Sequence, residues 1–374
     1  MQMMKPQINI DGAQVFLGDC REVLEGFPDN SVDSIVTDPP YELGFMGKGW
    51  DSSGIAYDVT VWLECLRVLK PGGHILAFGG SRTFHRLAVA IEDAGFEIRD
   101  TIAWISSKTF PKSLNIQKAM DKAGMNGSVA KGWGTGLKPS HEPIIVGRKP
   151  LDGTVANNTL QWGVGGLNID ACRVGTETVT INTFDNGAKP WGEAVGEPYT
   201  SRQSQGRWPA NVILDEHSAR LLDDQSGVSV SNKRLRTART NAPMEANEQW
   251  SNRLNASQRL GFSSERGHND SGGASRFFYV AKASKRDQNE GLDMQNFHPT
   301  VKPTTLMRYL IKLVTPTGGT VLDPFTGSGS TGKAALLDGF EFVGVELTED
   351  YLPIIEGRLR FASKQVDHNN DRLF

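Results

Sequence analysis

The run Gly318-Gly319-Thr320-Val321-Leu322-Asp323, continued by Pro324-Phe325-Thr326-Gly327-Ser328-Gly329, restricts the fold more than any other part of the chain. Its paired glycines make a turn into a short apolar stretch that reads as a buried strand. Small residues then form a loop, and Lys333 to Asp338 reads as a helix. Phe340 to Glu346 reads as a second strand. Strand, glycine loop, helix and strand are half of a nucleotide-binding unit, and such units assemble into doubly wound parallel sheets.

Three ligands compete for this loop. Gly327, Gly329 and Gly332 satisfy G-x-G-x-x-G, a weak match by itself. Gly327 to Lys333 also imitates a phosphate loop, but Ala334 stands where a hydroxyl must hold magnesium. S-adenosylmethionine carries no phosphate. It needs close approach by glycine backbone, apolar walls and an acceptor for its ribose hydroxyls. Gly327, Gly329, Phe325 and Glu346 suit those needs, the last being a strand-terminal carboxylate 19 residues beyond Gly327.

Far upstream, Val32-Asp33-Ser34-Ile35-Val36-Thr37 reads as a strand halted by Pro39-Pro40, which together remove two N–H donors. Asp38, Pro39, Pro40 and Tyr41 therefore lie in a loop at a strand's carboxyl end, the edge where open α/β sheets bind ligands. Read alone, Asp-Pro-Pro is a strand-ending turn. Beside the glycine loop it has a second reading. The exocyclic amine of a nucleobase is a poor nucleophile because its lone pair is delocalised into the ring. Two acceptors on its N–H bonds would draw that pair back, and the Asp38 carboxylate and Pro39 carbonyl are such acceptors. Tyr41 offers a face on which an extruded base can stack, worth roughly 1–3 kcal/mol.

With both motifs in view, the chain resembles the amino-methyltransferases of DNA, the N6-adenine and N4-cytosine family, in the permuted order that places the catalytic motif before the cofactor motif. The resemblance extends to Leu17-Gly18-Asp19-Cys20, to Val68-Leu69-Lys70-Pro71-Gly72-Gly73 and to His298-Pro299-Thr300-Val301-Lys302-Pro303. It implies a seven-stranded, mostly parallel Rossmann-like sheet with a large inserted target-recognition region. It also implies that Asp38, Pro39, Pro40 and Tyr41 hold the target amine. Asp19, Asp38, Thr300, Lys302, Asp323, Pro324, Phe325, Gly327, Ser328, Gly329 and Glu346 would line the S-adenosylmethionine site, with Asp19 at the adenine and Thr300 and Lys302 at the methionine end. Ser330 stands where threonine is frequent, which keeps the hydroxyl. Lys138-Pro139-Ser140-His141-Glu142-Pro143, Gly206 to Asn211 and Arg276 to Tyr279 are similar to a subgroup common in phage and mobile elements. The implied partner is double-stranded DNA. The resemblance allows a homodimer and a companion restriction endonuclease, and no residue pattern decides either.

Elsewhere, the first half alternates. Val59 to Leu69 has helical spacing, His74 to Phe78 reads as a strand, a helix starts at Ser81 and stops at Gly95, and Phe96 to Ile105 is another strand. From about Phe110 to Gln295 glycine, serine, asparagine and tryptophan accumulate and periodicity fades. The expected plan is therefore a catalytic first half (1–109), an insertion (110–295) and a catalytic second half (296–374). The two ends supply 188 residues, enough for the sheet. The net charge is only −3, yet residues 230–286 hold eleven basic side chains against four acidic ones, a local +7 that suits phosphate. Thr237–Gly273, poor in large apolar residues, reads equally as a segment that is disordered without DNA. Trp133, Trp162, Trp191, Trp208 and Trp250 also fall in the insertion; which of them pack and which meet DNA is open.

Three widely spaced cysteines, Cys20, Cys65 and Cys172, argue against a disulfide framework and a structural zinc, and no metal is expected. None follows a proline, which weighs against a thiolate attacking carbon 5 of cytosine. No leader or apolar span is evident, so a cytoplasmic protein with no membrane partner is expected. Within the resembled family an aspartate opening the four-residue motif leans toward adenine N6; cytosine N4 is the alternative. An RNA or protein-glutamine methyltransferase would open the motif with asparagine and reverse the motif order. A silent DNA-binding module would show a damaged motif.

Overall fold

A computed structural model describes residues 5–44, 49–107, 113–183, 200–231, 234–235, 265–266 and 270–370. Its main sheet has ten strands: β1 (Ile8–Ile10), β2 (Ala13–Leu17), β3 (Val32–Thr37), β4 (Leu69–Phe78), β5 (Glu97–Ile105), β6 (His141–Arg148), β7 (Val212–Asp215), β8 (Tyr279–Ala281), β9 (Thr320–Asp323) and β10 (Glu341–Glu346). They lie in the order β1-β2-β10-β9-β3-β4-β6-β5-β7-β8. All neighbours are parallel except where β1 meets β2 and where β6 runs against β4 and β5. The fold is the expected mixed α/β, doubly wound and mostly parallel, but the count of seven strands is corrected to ten. Two of the added strands, β7 and β8, come from the stretch expected to be insertion. β6 does too: its Ile144-Ile145-Val146 run is buried on both faces, with no alternation to stand out among glycine-rich neighbours.

Apolar layers cover both faces. On one, the helix Thr304–Val314 packs Leu306, Leu310 and Ile311 with Val36, Leu76 and Val321. On the other, Val59–Val68 and Phe84–Asp93 pack Trp62, Cys65 and Ile91 with Ile35, Ile75 and Leu322. Every residue of β3 is buried, including its polar ones, and each of those has a partner. Ser34 bonds Thr315 at 2.7 Å, Asp33 accepts from Lys70 at 2.6 Å and from the Thr320 amide at 2.9 Å, and Thr37 donates to Asp323 at 2.6 Å. Satisfied in this way, a polar residue can sit in a central strand.

The chain divides into two compact units: residues 1–172, 210–219 and 278–374, and residues 173–209 with 220–277. The second unit is smaller than the expected insertion of 110–295, because β6, β7 and β8 are hydrogen-bonded into the main sheet. It contains the antiparallel hairpin Val174–Thr183 and Thr200–Arg207. Asp270 there holds two guanidinium groups, from Arg207 and Arg276, both over the ring of Phe277. Most of the basic stretch, with Lys233, Arg236, Arg239, Arg253 and Arg259, lies outside the described residues, as do Trp191 and Trp250.

Candidate active site

Four carboxylates stand at the carboxyl ends of four adjacent strands: Asp19 just past β2, Glu346 closing β10, Asp323 closing β9 and Asp38 just past β3. Pairing sets this alignment. Leu17 lies opposite Glu346, and Leu322 opposite Ile35. The chain leaves β3 toward β4 on one side and β9 toward β10 on the other, so the crevice between β3 and β9 is a topological switch point. A single cavity of about 620 Å³ opens there, lined by Asp38, Pro39, Pro40 and Tyr41 from one loop and by Asp323, Pro324, Phe325, Gly327 and Ser328 from the other. Asp19, Thr300, Lys302 and Glu346 line it too. Gly329, expected in the same wall, does not. Its φ of +73° opens the following helix, and Ile355 sits where a side chain would project.

The loop after β3 is held by charge. Lys302 Nζ lies 2.6 Å from Asp38 Oδ2, 3.2 Å from the Tyr41 hydroxyl and 3.4 Å from Glu142 Oε2. The Tyr41 hydroxyl donates to Glu142 Oε2 at 2.6 Å. Asp38 Oδ1 is buried and has no partner among the described residues. Burial raises the Asp38 carboxyl above the ordinary carboxylate range and Glu142 adds to this, against the pull of Lys302. For Lys302 burial works toward the neutral amine, but the two carboxylates outweigh it and hold the ammonium above its usual value. The resemblance places Lys302 at the methionine end of a cofactor; the structure sets its ammonium against the Asp38 carboxylate. Glu142 stands in the sequence only as a member of a resembling motif, with no role attached.

Asp51 shapes the backbone of the same loop. It is buried, and its carboxylate accepts the amides of Tyr41 at 2.9 Å, Glu42 at 3.0 Å and Leu43 at 3.2 Å. Thr83, not Ser81, holds the N-cap position of the next helix, and its hydroxyl donates to the Tyr41 carbonyl at 2.8 Å rather than to the helix. Neither role shows in the sequence, since both link residues up to ten or more positions apart.

Local hydrogen bonds hold the loop after β9. Asp323 accepts from Thr37 and Thr331, each at 2.6 Å, and from the Phe325 amide at 3.1 Å. Burial nevertheless pushes its carboxyl up to about 6. Glu346 accepts the Gly327 amide at 2.7 Å and the Thr348 amide at 2.8 Å, and burial raises its pKa as well. Asp19 caps the helix Cys20–Glu25 and pairs with Arg21, whose guanidinium lowers the Asp19 pKa. His298, in edge contact with Tyr351, is driven by burial down to about 4 and is neutral.

Among the described residues, seven carboxyl side chains and two cations, Arg21 and Lys302, line the cavity. Such a lining repels phosphates and attracts a cation. Among the described residues no three His, Cys, Asp or Glu side chains converge as a metal site requires. Burial raises the Cys20 thiol, which also faces the cavity, to about 12, so it is no thiolate nucleophile. Among the described residues no helix is long and apolar enough to cross a membrane.

Residues 32–357 match the model of a protein family described as DNA methylase. The chain is similar to the type II methyltransferase M.HindIII of Haemophilus influenzae, 23% identical over 314 residues, or 83% of this chain and 70% of that one. It is also similar to the type II methyltransferase M.ScaI of Streptomyces caespitosus, 39% identical over 91 residues, 24% of this chain and 29% of that one. Among solved structures, the cytosine-N4-specific PvuII DNA methyltransferase aligns at 14% identity over 98% of this chain and 94% of that one, with a TM-score of 0.46. The M1.HpyAVI–SAM complex aligns at 16% identity over 93% of this chain and 98% of that one, with a TM-score of 0.42.

Proposed function

We propose, for a chain that belongs to the N6/N4 DNA methylase family, that it methylates the N6 amino group of an adenine turned out of duplex DNA, with S-adenosylmethionine as donor. One observation carries the reading. Asp38 holds a buried carboxylate oxygen with no donor among the described residues, in the loop that shares a cavity with the glycine turn after β9. A buried acceptor left unsatisfied costs about 1–3 kcal/mol, and an entering N–H bond removes that cost. The acidic lining suits a sulfonium and disfavours a phosphate cofactor. Glu346 and Phe325 line the same cavity, and on this reading Glu346 takes the ribose hydroxyls and Phe325 walls the adenine.

S-adenosylmethionine, when bound, supplies a methyl group on positively charged sulfur. Asp38 Oδ1 and the Pro39 carbonyl accept the two N–H bonds of the target amine, turning its lone pair out of conjugation. Tyr41, its hydroxyl tied to Glu142, keeps its ring in place as the stacking face. Methyl transfer would leave the nitrogen positive, and Asp38 would be the residue that accepts one of its protons. Lys302 keeps that carboxylate ionised until then. Adenine is preferred to cytosine because the motif opens with aspartate, a preference borrowed from the family. Two experiments test the reading. Labelled cofactor offered with DNA, RNA or protein should mark DNA alone. Expression in a methylation-free host, followed by single-molecule sequencing, should show N6-methyladenine; N4-methylcytosine would correct the base, and unmodified DNA would reject the function.

A further inference from the structure

We infer that the lobe joining β5 to β6 grips the duplex beside the active site, its lysines on phosphates and Trp133 in the space an extruded base vacates. This deepens the DNA-methylating reading and rests on it. The lobe leaves at the carboxyl end of β5, the edge that carries Asp38, and returns at β6. Ile105 pairs with His141, the Ser106 amide donates to the Ser140 carbonyl at 2.9 Å, and Lys138 reaches the Ser107 carbonyl at 2.6 Å. Glu142, the partner of Tyr41, is the next residue of β6. The lobe is thus rooted at the mouth of the cavity.

Over the lobe's described residues 113–138 the backbone is tied by hydrogen bonds. The Leu114 amide donates to Thr135 Oγ1 at 2.9 Å, the Thr135 amide to Ser113 Oγ at 3.0 Å, and the Ile116 amide to the Trp133 carbonyl at 3.2 Å. Five of its apolar side chains nonetheless face outward: Trp133 is 70% exposed, Val129 74%, Leu137 93%, Leu114 59% and Met125 55%. Such a concentration on an ordered segment marks a contact surface. Charge says with what. Lys118, Lys122 and Lys131 are exposed and, among the described residues, none is ion-paired. The one acid between residues 113 and 138, Asp121, accepts the Gly127 amide at 3.0 Å. Unpaired lysines around an exposed aromatic fit a polyanion with stacking faces; an apolar protein surface would leave the lysines without partners.

The full-length protein tests this on duplexes carrying its methylation site. Replacing Lys118, Lys122 and Lys131 together with alanine should weaken DNA binding and flatten the plot of log affinity against log salt by about 2–3, near 0.9 for each phosphate that the variant no longer neutralises. Trp133→Ala should slow single-turnover methylation about 10- to 100-fold on a matched duplex. It should come within about 3-fold of the parent when the target base faces an abasic site, where extrusion needs no unpairing. Unaltered cofactor affinity in both variants reports an intact fold. An unchanged salt slope, or equal Trp133→Ala losses on the two duplexes, overturns the inference. So would loss of a dimer with DNA affinity preserved, which would assign the lobe to a second copy of the chain. If the parent protein itself fails to methylate DNA, the functional reading falls and this inference with it. If the parent methylates and the variants match it, only the lobe is wrong.

Discussion

The two loops that close the cavity are held by different forces. The loop after β3 depends on an ion pair between Asp38 and Lys302, residues 264 positions apart. The loop after β9 depends largely on its own neighbourhood: Asp323 takes the Phe325 amide, Thr326 Oγ1 donates back to the Asp323 carbonyl at 3.2 Å, and the Gly327 amide reaches Glu346. A charge-held loop responds to pH and to loss of one distant partner. The loop after β9, held by amides and hydroxyls on the buried carboxylates of Asp323 and Glu346, does not hinge on one distant cation, yet it also responds to pH because burial pushes the Asp323 carboxyl up to about 6. On the proposed function, the reacting amine meets the loop held by the ion pair and the cofactor meets the loop held by amides and hydroxyls.

Asp38→Ala breaks the comparison most sharply. Transfer should fall about 10³-fold or more, the upper range for removing an electrostatic stabiliser, with cofactor affinity within a few-fold of the parent. Single-turnover rates beside a cofactor titration check it, and retained turnover would remove Asp38 from catalysis. Lys302→Met leaves a buried carboxylate unpaired, so roughly 3–5 kcal/mol of stability should be lost. The sign of its pH effect is definite. Activity needs ionised Asp38 and fades as pH falls through its pKa; without Lys302 that pKa rises, so the acid limb of the rate profile should move to higher pH. A limb that stays put would show that the lysine does not control Asp38.

On the other side of the comparison, Glu346→Ala should weaken cofactor binding about 10- to 100-fold, as expected for a charged hydrogen bond worth about 1.5–3 kcal/mol. The rate at saturating cofactor should change far less. Unchanged affinity, measured by calorimetry, would refute the ribose assignment. Glu142→Gln should have the smallest effect. Glutamine still accepts the Tyr41 hydroxyl, so the rate should fall less than about 10-fold, within the range of a single hydrogen bond's perturbation. Glu142 raises the Asp38 pKa, so here the acid limb should shift to lower pH, opposite to Lys302→Met. Shifts of the same sign in both variants would contradict the charge arrangement drawn around Asp38.

The same contrast explains what the sequence disclosed. Asp38 to Tyr41 and Asp323 to Ser328 are legible because proline, glycine and a strand-ending carboxylate act on their immediate neighbours. Asp51, Thr83 and Glu142 are not, because each acts through a tertiary contact that no local pattern encodes. Lys302 is found through the resembling motif His298 to Pro303, and its contact with Asp38 is not, because only packing turns its ammonium to that carboxylate. β6 escapes for a related reason. A short apolar run buried on both faces lacks the period that distinguishes a strand, and its antiparallel direction breaks the βα rhythm of the rest.

The strand order has a consequence for synthesis. β2 and β3 are complete by residue 37, yet β10 and β9 lie between them and are made only after residue 319. Until then the nascent chain carries two open strand edges at what will become the middle of its sheet. Such edges invite pairing with other chains. A polypeptide stopped short of residue 320 would lack the centre of its fold.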